Sequence, residues 1–166
     1  SQLHGGREIS REQLDEYKQL SADDKMYSRA LRYVALRPRT VWELQQYLTR
    51  HDASPALVEL IVNKLTNIGL LDDAAYARSF VADRRSLRPA SHRKLVADLR
   101  KKHIASSLIH EAVGNDAADE RQSLQSVITK ARRQTKYQTD ELKLMQYLAR
   151  QGFHYDDIKQ ALQHED

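Results

Sequence analysis

Residues 44–62 read LQQYLTRHDASPALVELIV, residues 95–113 read LVADLRKKHIASSLIHEAV and residues 144–162 read LMQYLARQGFHYDDIKQAL. At offsets of 51 and 49 residues, with no gap, Leu44 aligns with Leu95 and Leu144, and Leu48 with Leu99 and Leu148. Arg50 then aligns with Lys101 and Arg150, Ala53 with Ile104 and Phe153, Val58 with Ile109 and Ile158, and Val62 with Val113 and Leu162. A Leu-x-x-x-Leu pair alone is common on any helix. The same offsets carrying a basic residue, a hydrophobic corner and a further apolar stripe make an internal repeat. Each unit reads as a long helix, a basic loop, the Leu-x-x-x-Leu helix, a hydrophobic corner and a short helix. Such a unit is too small to bury its apolar faces well, so stacked neighbours complete the core.

Outside these windows the punctuation is that of helices. Only five Gly and three Pro occur in 166 residues, and apolar residues recur at helical spacing, which predicts an all-α chain. Ser10 is placed to cap a short first helix. Asp23 or Asp24 is placed to cap the next, which carries Tyr27, Ala30, Leu31 and Val34 and stops before Pro38. Thr40 and Glu43 have capping-box spacing, Ser54–Pro55 opens the following helix and Gly69 closes it. Asp72 restarts the pattern, Ser86 to Pro89 breaks it, and Gly114 and Gly152 end later helices. A long helix is expected from about Asp116 to Arg133. The expected architecture is three tandem three-helix repeats over residues 25–71, 72–115 and 116–166. A variable segment, residues 1–24, precedes them with a short helix. The chain opens on Ser1 in place of Met, and Ser1 to Gly6 carry little fold information.

Composition narrows the function classes. Hydrophobic residues are 40% and charged residues 30%, so the core is thin and an elongated, modular shape is expected. With no Cys, disulfides, Cys-ligated zinc and thiol catalysis are excluded. No apolar run approaches the roughly 18 residues that span a bilayer, and no signal-peptide core is visible, so the expected location is the cytoplasm. Seven His are scattered without the His-Glu-x-x-His pattern of zinc hydrolases, and no Gly-rich phosphate loop occurs. His51 and His103 sit near helix C-termini, where an imidazolium suits the dipole. The pairs Asp23–Asp24, Asp72–Asp73 and Asp156–Asp157 fall where helices should begin, so capping is the reading rather than catalysis. Trp42 is read as a packing residue. No catalytic, metal or cofactor site is assigned, and the expectation is a protein that is not an enzyme.

The charge distribution says more than the net +4. Residues 1–25 carry a net −2, whereas residues 84–103 carry a net +7 with Asp98 as the sole acid. Lys130, Arg132, Arg133 and Lys136 add a further run with no acid. Three basic clusters occupy the same place in each unit, between its first and second helices. They comprise Arg37 and Arg39; Arg84, Arg85, Arg88, His92, Arg93 and Lys94; and Arg132, Arg133 and Lys136. Lys101 follows at the end of the second Leu-x-x-x-Leu helix. Regular stacking would align the clusters as a positive stripe facing an anionic partner. Arginine predominates, which suits bidentate recognition of carboxylate or phosphate.

Three stretches carry a family resemblance. Residues 70–81, LLDDAAYARSFV, resemble the Gly-x-Leu-Asp-Asp linker and aromatic–Ala helix that open the second module of RecX proteins. Arg93-Lys94-Leu95 through Leu99 to Ile104 is similar to their Arg-x-Leu-x-x-Glu-Leu-x-x-Lys-Gly-Ile segment. Arg39-Thr40-Val41-Trp42-Glu43-Leu44 through Leu48 is similar to their Arg-Ser-x-x-Glu-Leu-x-x-x-Leu. The likeness covers about residues 25–163 and departs at His103, where the family usually has Gly, at Ser91, near which a Gly is common, and at Asp98, where it often has Glu. The resemblance implies a curved molecule of three three-helix repeats that binds RecA and RecA–DNA filaments. It further implies inhibition of recombinase, ATPase and SOS coprotease activity, with no catalytic residues. A monomer with weak non-specific DNA binding is expected. Arg84, Arg85, Arg88, Arg93 and Lys94 are the first choices for the contact.

Two other classes stand beside this one. A regulator acting directly on DNA would use the second and third helices of each unit as a helix-turn-helix. The third helices, Ala56 to Leu60 and Ser107 to Glu111, are mostly apolar or acidic and offer little to base edges, although phosphate contacts stay open. A plain helical scaffold would bind neither DNA nor RecA.

Overall fold

The structure is a computed structural model that describes residues 10–165; Ser1 to Gly6 and the rest of residues 1–9 lie outside the described residues. Ten helices follow in order: α1 Arg11–Leu36, α2 Val41–Arg50, α3 Pro55–Asn67, α4 Asp73–Leu87, α5 His92–Lys101, α6 Ser106–Val113, α7 Ala117–Ala131, α8 Thr135–Gln138, α9 Glu141–Arg150 and α10 Tyr155–Gln163. No strand occurs among the described residues. They divide into two compact units, one ending at Leu71 and the other beginning at Asp72.

In the first unit, α1 is one continuous helix of 26 residues, not the short helix and separate successor expected from Ser10 and Asp23–Asp24. Ser10 does cap it, in a reciprocal box with Gln13. No Gly or Pro interrupts Arg11 to Leu36. Asp23 accepts a hydrogen bond from Gln19 Nε2, one turn earlier, at 2.8 Å. A carboxylate so engaged sits on the helix surface at the small cost of an unfavourable propensity. The N-terminal half leaves Leu14, Tyr17 and Leu20 exposed. The C-terminal half supplies Ala30, Leu31 and Val34 to a core with Leu44, Leu48, Val58, Ile61, Leu65 and Leu71. Each fully buried Leu or Ile contributes about 1.5–3 kcal/mol over its exposed state.

The repeat governs local geometry as well as burial. Leu44, Leu95 and Leu144 are fully buried, as are Leu48, Leu99 and Leu148. The helices that carry them are capped by Thr40, Ser91 and Asp140, whose side chains accept from Glu43, Lys94 and Lys143 backbone N–H. Each helix then turns through a left-handed residue: Asp52 at φ 66°, His103 at φ 58° and Gly152 at φ 98°. After each, the corner residue returns its N–H to the second leucine's carbonyl: Ala53 to Leu48 at 3.0 Å, Ile104 to Leu99 at 3.5 Å and Phe153 to Leu148 at 3.3 Å.

The second unit holds two buried clusters. One joins α4, α5 and α6 through Ala77, Val81, Leu95, Leu99 and Ile109. The other joins α7, α9 and α10 through Leu124, Ile128, Leu144, Leu148 and Ile158. The single turn α8, which no periodicity announces, folds Tyr137 into the latter. Polar contacts tie the two halves. Ser91 Oγ donates to the Gln151 carbonyl at 2.8 Å, and His92 N–H donates to Glu120 Oε2 at 2.8 Å. Gly152 is needed at this seam: a Cβ there would lie 2.5 Å from Ser91 Oγ, and its φ is left-handed.

Candidate functional site

The basic loops are the candidate site, and the structure separates cations with internal partners from cations left to solvent. In the first loop, Arg37 Nη2 donates to Glu43 Oε2 at 2.9 Å. Arg39 is largely buried: its Nε donates to the Tyr33 carbonyl at 3.2 Å and its guanidinium lies 3.9 Å above the Tyr33 ring. Glu43 is itself buried and completes the capping box on Thr40. These two arginines therefore balance a buried carboxylate and fix the turn between α1 and α2.

The second loop divides. Arg85 turns inward, donating to the Val113 carbonyl at 2.7 Å and pairing with Asp119 at 3.6 Å. His92 faces both Arg85 and Glu120. These two residues hold α4, α5, α6 and α7 together. Arg84 pairs with Asp98 at 3.0 Å but keeps an open edge. Arg88 is exposed and has no side-chain partner among the described residues. Arg93 lies apart from Arg88, in a hollow of mixed charge with Glu120, Arg121 and Asp157. Lys101 is exposed at the end of α5.

In the third loop, Arg132 pairs with Glu165 at 3.1 Å and donates to the Tyr137 carbonyl at 2.6 Å. Arg133 is exposed, and exposed Lys136 lies 4.8 Å from the Tyr137 ring centre.

Within the second unit, part of this set converges on an open cleft of about 370 Å³. Its cations are Arg84, Arg88, Lys94 and Lys130, and no carboxylate lines it. Lys94 Nζ is oriented by Gln151 Oε1 at 3.3 Å. Gln134 and Gln151 supply amides, while Pro89, Val127, Ala131 and Tyr147 supply apolar wall. Four cations around one concavity, with one nearby acid at Asp98, produce a focused positive potential. The chemistry fits a phosphate or carboxylate group carried on a larger partner. Lys130, Gln134, Gln151 and Tyr147 were absent from the expected contact set. Lys130 was visible as a member of a basic run, whereas Tyr147 is an ordinary helix residue and Gln134 and Gln151 are ordinary turn residues until the fold brings them to the cleft.

Arg133 and Lys136 do not line the cleft, and the first loop belongs to the other unit.

Comparison with known proteins matches three family models in sequence order: the RecX first three-helix domain over residues 27–65, the second over 72–113 and the third over 119–162. Regulatory protein RecX of Lactobacillus delbrueckii subsp. bulgaricus is 37% identical over 115 residues, which are 69% of this chain and 42% of that protein. The chain thus spans about two fifths of the length of this curated relative. Regulatory protein RecX of Pelodictyon phaeoclathratiforme is 28% identical over 141 residues, covering 80% of this chain and 84% of that protein. A crystal structure of regulatory protein RecX superposes with a TM-score of 0.82 at 26% identity, covering 98% of this chain and 82% of that one. A crystal structure of RecX from Lactobacillus salivarius gives 0.75 at 25% identity, covering 87% and 96%. With all three domain types present in order on this all-helical fold, the chain belongs to the RecX family.

Proposed function

We propose that this chain regulates a RecA-type recombinase by binding it and its DNA filament, and that it lowers recombinase, ATPase and SOS coprotease activity. The reading assigns it to the cytoplasm and to action as a monomer. The observation that carries it is the all-cation cleft of Arg84, Arg88, Lys94 and Lys130 on a chain with the three RecX domains. The cleft supplies affinity for the anionic groups that a protein–DNA filament presents. Arg84 and Lys94 form its oriented side, and Arg88 and Lys130 its open side. Arg39, Arg85, His92 and Arg132 act as positioning residues that hold the loops in shape. Binding shifts a filament toward an inactive state only through tighter binding to that state.

The test is RecA ATPase on single-stranded DNA, with this chain at substoichiometric and equimolar amounts. Inhibition by the native chain, relieved by Arg88→Glu with Lys130→Glu, is the expected result. An ATPase rate untouched by the native chain would contradict the reading. If the chain instead bound bare DNA tightly and left RecA unaffected, direct action on nucleic acid would replace it.

A further inference from the structure

Leu36 and Leu87 are the most exposed large apolar side chains among the described residues, at 79% and 76%; the next, Tyr17 and Leu142, reach 65%. Their sequence separation is 51 residues, the repeat offset itself. Each is the last residue of its module's first helix, and each is followed by Arg and Pro: Arg37–Pro38 and Arg88–Pro89. Proline fixes the backbone just beyond the leucine, so the side chain is presented from a stiff corner. A cation also lies about one turn before each leucine, Arg32 and Arg84 respectively, with Asp83 beside the second. Neither leucine belongs to a core cluster, so the fold gives no reason for an isobutyl group at either place.

We propose that Leu36 and Leu87 are anchor residues, each inserting into an aliphatic depression on an acidic protein surface. This rests on the preceding reading and names the protein side of that contact. The chemistry selects protein over nucleic acid, because an isobutyl group offers a phosphate neither charge nor hydrogen bond. Exposed Arg32 and Arg88, with no carboxylate partner among the described residues, select an acidic rim around the depression. A protein contact has an apolar core and a polar rim, the arrangement that each leucine and its neighbouring cation offer.

The experiment measures equilibrium binding of the full chain to RecA filaments on single-stranded DNA and, separately, to the bare strand. It compares Leu36→Ser, Leu87→Ser, the double variant and the control Leu142→Ser. Each anchor variant should weaken filament binding about ten-fold and the double about a hundred-fold. Bare-strand binding, thermal midpoint and the control should stay at native values. Native-like filament binding by the double variant would overturn the anchors while leaving RecA regulation standing. Failure of the native chain to bind RecA at all would overturn both. Equal loss on the bare strand would make the leucines wedges between bases and overturn the protein assignment. Self-association in sedimentation that disappears in the double variant would assign them to a second copy and overturn it as well.

Discussion

The loops 36–40 and 87–91 begin alike, Leu36-Arg37-Pro38 against Leu87-Arg88-Pro89, and end in the same capping role at Thr40 and Ser91. Three residues further on they differ in sign: Glu43 stands where the second module has Lys94. Glu43 completes a capping box and draws Arg37 and Arg39 onto itself. Lys94 can do neither. The position of Arg39 is taken by Ala90, so Arg88 has no carboxylate to answer and faces the cleft with Lys94 and Lys130. One helix position therefore decides whether a basic loop is a structural clamp or an anion-binding surface.

Exchanging the signs breaks the comparison most severely in the first module. Glu43→Lys places an ammonium in a buried position beside two arginines and removes the capping box. The expected loss is about 3–5 kcal/mol, read as a lower midpoint in urea denaturation. A loss below about 1 kcal/mol would show that the clamp is ornamental. A smaller effect is expected at the seam that shapes the cleft. Gly152→Ala meets Ser91 Oγ and a left-handed φ, and should cost about 1–3 kcal/mol. Relief of the side-chain overlap by Ser91→Gly, in the Gly152→Ala background, should recover part of it. The mirror exchange, Lys94→Glu, sharpens the comparison. It completes a box with Ser91 and brings a carboxylate to Arg88, so filament binding should fall about ten-fold, or 1.4 kcal/mol, with stability near native. Unchanged binding would remove Lys94 from the contact.

The sequence made the repeat legible because the physics that builds it is local. Buried leucines three to four residues apart, a small polar cap and a Pro or Gly at a boundary announce themselves without tertiary information. Two local signals misled or stayed silent. Asp23–Asp24 looks like a helix start, yet nothing before it ends a helix, and α1 runs through. Asp52 and His103 hold left-handed turns without being glycine, a role signalled by their alignment with Gly152 and, at His103, by the family's glycine. The binding surface was legible as clusters of charge but not as individual roles. Arg84 finds Asp98 14 residues away, Arg85 finds the Val113 carbonyl 28 away and Arg132 finds Glu165 33 away. Such partners are set by packing, so a list of basic residues cannot separate clamps from contacts.

The most direct test is the salt dependence of binding to RecA filaments on single-stranded DNA, for the native chain and for Arg88→Glu with Lys130→Glu. If the cleft carries the contact, affinity falls steeply with salt for the native chain. The variant should then lose affinity and show a slope shallower by about one for each cation removed. A variant with the native slope and affinity would contradict the account and move the anionic contact away from the cleft.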